Sequence, residues 1–74
     1  MKKRQQALQI ERDILVFLAA QPGPTTTADV SAALNISIYK ARYHLRQLVL
    51  DAIVQELNHG RGAATYWRYT KGEA

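Results

Sequence analysis

The sequence predicts an α+β domain: three helices followed by a C-terminal two-stranded β-hairpin, with room for a short strand near Thr25. Three observations carry this. Apolar residues recur at helical spacing in three successive segments before Ala52. The pattern then changes to two short runs, residues 53–57 and 65–70, rich in β-branched and aromatic side chains around a glycine-containing loop. Finally, 74 residues without a single Cys suit one domain, residues 1–74, and exclude a disulfide framework or a cysteine-ligated metal site.

The first helix spans about residues 3–20. Ile10, Ile14, Phe17 and Leu18 share one face, with Leu15 beside them, and Gln5, Gln9, Arg12 and Asp13 fill the other. Lys2, Lys3 and Arg4 oppose the positive end of the helix dipole, so the helix is expected to fray before about Ala7, and residues 71–74 to form a frayed tail. The basic start is either an arm that touches an anionic partner or a solvated helix end. Gln21-Pro22-Gly23-Pro24 then stops the helix, because neither proline nor glycine sustains one.

The second helix opens on Thr26-Thr27-Ala28-Asp29, a capping-box pattern with Asp at the third position. Val30, Ala33 and Leu34 make its apolar face, and Ala33 is expected to let the next helix approach. Asn35 suits a left-handed terminal position, Ile36 turns back to the core, and Ser37 is a strong N-cap for the third helix, residues 37–51. On that helix Ala41, Leu45 and Leu48 form a stripe with His44 at its edge. At 100° per residue Tyr39, Tyr43, Arg46 and Leu50 fall opposite, with Arg42 and Gln47 on the flanks. In the hairpin, residues 58–62 read as the turn. Tyr66 and Arg68 alternate with Trp67, which is expected to close the core.

Helix, helix, short turn, helix, hairpin is the layout of a winged helix-turn-helix, and the charge is distributed to match. Residues 1–36 carry four basic groups (Lys2, Lys3, Arg4, Arg12) against three acids (Glu11, Asp13, Asp29). Residues 37–72 carry six (Lys40, Arg42, Arg46, Arg61, Arg68, Lys71) against two (Asp51, Glu56). The positive field therefore belongs to the second half and favours an anionic partner. Such a fold sets its third helix in the major groove of double-stranded DNA, and the outward residues there have the right chemistry. Lys40, Arg42 and Arg46 can meet phosphates or guanine edges, Tyr39 and Tyr43 can donate to phosphate or pack on a thymine methyl, and Ser37 frees the first turn by capping it. Arg61, between two glycines in the loop 58–64, is placed to meet backbone or minor groove, and Arg68 to meet backbone.

Other readings stay open. The fold can serve as a protein–protein module, with Val49 and Leu50 either contacting a partner or packing on the wing. Tyr66, Trp67 and Tyr69 can be read as a stacking platform for single-stranded nucleic acid. His44 and His59 lack a third ligand for a metal, and no nucleophile–base pair or phosphate-binding glycine loop is present. The chain is expected to be a non-enzyme without cofactors. No apolar run reaches membrane-spanning length, and the basic start leads to Gln5 and Gln6 rather than a signal-peptide core, so a cytoplasmic, nucleoid-associated protein is expected.

The segments Asn35-Ile36-Ser37-Ile38-Tyr39-Lys40-Ala41-Arg42, Leu45-Arg46-Gln47-Leu48 and Ile53-Val54 resemble the recognition half of bacterial winged-helix regulators. With Asn58, Gly60-Arg61-Gly62 and Trp67-Arg68 added, the chain more narrowly resembles the PapI/FaeA-like regulators of fimbrial operons over about residues 10–70. The resemblance implies transcriptional control of adhesin expression. It implies DNA contact by Tyr39, Lys40, Arg42, Tyr43, Arg46 and the wing residue Arg61. For some members it implies joint action with the leucine-responsive regulatory protein at sites containing an adenine-methylation sequence. Two departures stand out. Asn35 and Ala52 occupy positions where many winged helices carry Gly, and alanine tolerates a left-handed conformation poorly, so the end of the third helix is expected to differ. The stretch Gln5 to Ala7 is expected to lengthen the first helix.

Overall fold

The computed structural model describes residues 2–58 and 64–70, with side chains from residue 7 onward. Within them the order is α1 (Lys2–Ala20), β1 (Thr25–Thr26), α2 (Thr27–Leu34), α3 (Ile38–Leu50), β2 (Val54–Asn58) and β3 (Thr65–Tyr69). Helix α1 is already formed at Lys2 rather than from Ala7. Gln5, Gln6 and Ala7 are good helix formers, and an unfavourable charge at a helix N-terminus costs only about 0.3–1 kcal/mol. The helix stops where expected: the Gln21 side-chain amide donates to the Phe17 carbonyl at 3.1 Å, covering one of the carbonyls a helix end leaves unpaired.

The sheet is three-stranded and antiparallel, in the order β1-β3-β2. The short strand near Thr25 is therefore part of it: Thr25 pairs with Trp67 and Thr26 with Tyr66. The β2–β3 register runs from Val54 opposite Tyr69 to Asn58 opposite Thr65. Asn58 thus ends a strand rather than starting the turn, and β2 begins one residue later than expected. Ile53 is held back by the exit of α3, where its own N–H still donates to the Leu48 carbonyl at 3.0 Å.

Every layer contributes to one core: Ile14 and Leu18 of α1, Val30 of α2, Ala41, Leu45 and Leu48 of α3, Val54 of β2 and Trp67 of β3. Ala33 does not lie between α2 and α3 as expected. It is exposed, and it borders a shallow groove against Ile10 and Phe17 of α1. The small residue inside the core is Ala41, which is completely buried. Ile36, half-buried, packs against the core from the turn.

Candidate nucleic-acid interface

The elements that set α3 in place are capped at both ends. The Thr26 hydroxyl accepts the Asp29 N–H at 3.0 Å, starting α2 directly out of β1. Asn35 ends α2 in the left-handed region with φ 56°, and the N–H of Ile36 returns to the Ser31 carbonyl at 3.1 Å. The Ser31 hydroxyl in turn donates to the Ile36 carbonyl, so the turn is tied in both directions. The Ser37 hydroxyl accepts the Lys40 N–H at 3.0 Å and opens α3. These are the local bonds that a helix start and a left-handed helix end require.

The end of α3 does not differ as expected. Ala52 adopts the left-handed conformation itself, with φ 62°. Its N–H donates to the Val49 carbonyl at 2.9 Å and that of Ile53 to the Leu48 carbonyl at 3.0 Å, the same pair of bonds that closes α2. Alanine bears the cost of the position because Ile53 packs back against the core directly after it.

Helix α3 divides cleanly. Ala41, His44, Leu45 and Leu48 are buried, and the opposite stripe stands in solvent: Tyr39 is 81%, Tyr43 59% and Leu50 78% exposed, with Arg46 exposed among them. Lys40 and Arg42 are exposed on the two flanks. Among the described residues no carboxylate pairs with Lys40, Arg42 or Arg46. Tyr39, Tyr43 and Arg46 therefore stand in one solvent-facing stripe with Lys40 and Arg42 on its flanks, stiffened from behind by the core.

His44 is more deeply placed than a helix edge. Its Nδ1 lies 3.0 Å from Glu11 Oε2, which links α3 to α1, and its ring meets that of Tyr43 edge-on at 5.1 Å. The spacing of Glu11 and His44 in the chain gave no sign of this pair. Trp67 is 1% exposed, and its indole N–H donates to the Thr27 hydroxyl at 2.7 Å. Trp67 therefore closes the core as expected, and because a buried indole cannot stack on bases, the alternative single-stranded platform loses its central ring. Its partner Thr27 was not foreseen.

The hairpin residues are distributed differently from one another. Arg61 lies outside the described residues. Ala64 and Thr65, at the start of β3, border a small cleft with Arg42 and Ile38 of α3 and with Thr26 and Ala28 at the entry of α2. Ile38, missed as a functional candidate, belongs to this edge because it precedes Arg42 by one helical turn. Arg68 is exposed but sits toward the other end of β3. It donates through Nη2 to Gln55 Oε1 at 2.6 Å and lines a different cleft with Pro22 and Gly23. The structure therefore gathers Tyr39, Lys40, Arg42, Tyr43 and Arg46 on α3, with Ser37 as its N-cap, and does not bring Arg68 to them.

A capped helix-turn-helix with an antiparallel sheet packed behind its third helix defines the winged helix-turn-helix class. Within that class, the chain matches the model of the FaeA-like protein family over residues 10–71 and belongs to that family. It is 41% identical over 64 residues to the major pilus subunit operon regulatory protein of Escherichia coli, covering 86% of this chain and 80% of the relative. It is 41% identical, with the same coverage, to the P fimbrial regulatory protein KS71A of Escherichia coli. Among solved structures it superimposes with a TM-score of 0.73 and 25% identity on part of human N-acetylserotonin methyltransferase, covering 88% of this chain and 18% of that one. This last likeness spans under a fifth of the methyltransferase and is one of fold. No helix among the described residues is long and apolar enough to cross a membrane.

Proposed function

We propose that this chain is a sequence-specific double-stranded DNA-binding regulator of transcription acting on a fimbrial or adhesin-type operon. The observation that carries the DNA-binding reading is the outward face of α3, where Tyr39, Lys40, Arg42, Tyr43 and Arg46 are exposed together on a helix capped at both ends. In this reading α3 lies in the major groove, the hairpin loop with Arg61 follows the backbone or the minor groove, and Arg68 is at most a peripheral contact. The regulatory role and the operon type draw support from the relatives' names. The same support favours a non-enzyme working in the cytoplasm at the nucleoid.

One module of this size buries roughly 600–1,000 Å² of its surface on DNA, which gives modest affinity alone. A second copy or a second DNA-bound regulator, such as the leucine-responsive regulatory protein, would supply the remaining specificity. Leu50, 78% exposed at the far end of the stripe, favours the second reading of a protein contact made from the same helix.

The test is a comparison of duplexes. A binding sequence is selected from a random pool, and its affinity is measured beside that of random duplex for the wild type and for Tyr43→Ala, Arg46→Ala and Arg61→Ala. Base-reading residues lose more on the selected sequence than on random DNA, by about 1–3 kcal/mol for a well-made contact. Arg61→Ala loses equally on both. Equal losses for all three variants mean that α3 is not the reading helix. A footprint with and without the leucine-responsive protein then shows whether the two act together.

A further inference from the structure

Ile38 is the first residue of α3 and is 43% exposed. It lies one turn before Arg42 on the same edge of the helix, and both border the cleft between α3, the entry of α2 and the start of β3. The outward face and this edge together present Ile38, Tyr39, Lys40, Arg42, Tyr43 and Arg46. That set contains arginine and lysine, which pair with guanine, but neither asparagine nor glutamine, the side chains that pair bidentately with adenine. Gln47 is half-buried on the flank, and the Ser37 hydroxyl is engaged in capping. In the first turn the exposed apolar side chain is that of Ile38, beside Tyr39 and Lys40, and the apolar group an A·T pair shows in the major groove is the thymine C5 methyl.

We infer that Ile38 is a specificity-determining residue whose exposed side chain packs on a thymine methyl in the major groove. Four residues of helix rise about 6 Å, close to two base-pair steps, so the thymine lies within about two base pairs of the contact made by Arg42. The inference rests on the proposed DNA-binding reading and adds to it the kind of base that the first turn of α3 selects.

The probe is the duplex selected by the wild-type protein, with each thymine replaced singly by deoxyuridine, which removes the methyl and keeps every hydrogen-bonding group. Wild type is expected to lose about fourfold in affinity at one position, the worth of one buried methyl. Ile38→Ala is expected to lose a similar factor on the unmodified duplex and to bind the thymine and uracil versions of that position equally. Circular dichroism verifies that the variant is folded, and Ile38→Ser serves in its place if it is not. Uniform wild-type affinity across the uracil series overturns the inference. So does a variant that still prefers thymine at the sensitive position. Absence of binding to any duplex at low salt removes the DNA-binding reading as well, and that outcome is distinct from intact binding without a uracil effect.

Discussion

Asn35 and Ala52 each hold a left-handed backbone at a helix end, and only the first is well suited to it. A non-glycine residue without a local hydrogen-bonding side chain pays about 1–2 kcal/mol there, and glycine loses part of that advantage through the greater freedom of its unfolded chain. Ala52→Gly is therefore expected to stabilise the domain by about 0.5–1 kcal/mol, read as a higher denaturation midpoint at unchanged slope. Sequence reasoning placed the strain at Ala52 but expected the helix end to change instead. The paired carbonyls of Leu48 and Val49 and the return of Ile53 to the core hold the backbone to the left-handed form. The Trp67–Thr27 bond was less legible. Burial of the sole Trp was readable from its place on the last strand of a chain with a single Phe, whereas the hydroxyl its N–H meets depends on how β3 lies against α2. Thr27→Val keeps the shape and leaves the buried indole N–H unpaired, so a loss of about 1–3 kcal/mol in equilibrium unfolding is expected. Trp67→Phe, which removes the donor, should make the same Thr27 substitution much less costly.

At the scale of elements, the caps decide where the helices lie and hence what they present. Removing the hydroxyl that receives the Lys40 N–H, in Ser37→Ala, should cost about 1 kcal/mol of stability in the same unfolding experiment. Helix α3 was readable almost to the residue, because a 13-residue helix repeats its buried stripe three times and a single cap fixes its phase. Strand β1 was legible only as a possibility near Thr25: two residues carry no alternation, and their pairing depends on the arrival of Trp67 and Tyr66. The Glu11–His44 pair escaped for the same reason, since it joins helices that only the tertiary fold brings together. Arg68 shows the limit of alternation as a guide. The pleat correctly turns it outward, but position along β3 puts it beside Pro22 and Gln55 rather than beside Arg42.

For the molecule as a whole, the net charge of +4 acquires a direction. The cations of α3 stand on its solvent side while Ala41, Leu45 and Leu48 are buried in the core shared with α1, α2 and the sheet. Membership of the FaeA-like family and the names of the relatives support a regulatory role. The central claim is that this face binds duplex DNA, and its most direct test is the salt dependence of duplex affinity for the wild-type protein. Contact with four to six phosphates predicts that log K falls with log salt at a slope of about −4 to −5. Replacing Arg42 by alanine is expected to reduce that slope by about one unit if its contact is to phosphate. No measurable duplex binding at low salt by a folded protein would contradict the account.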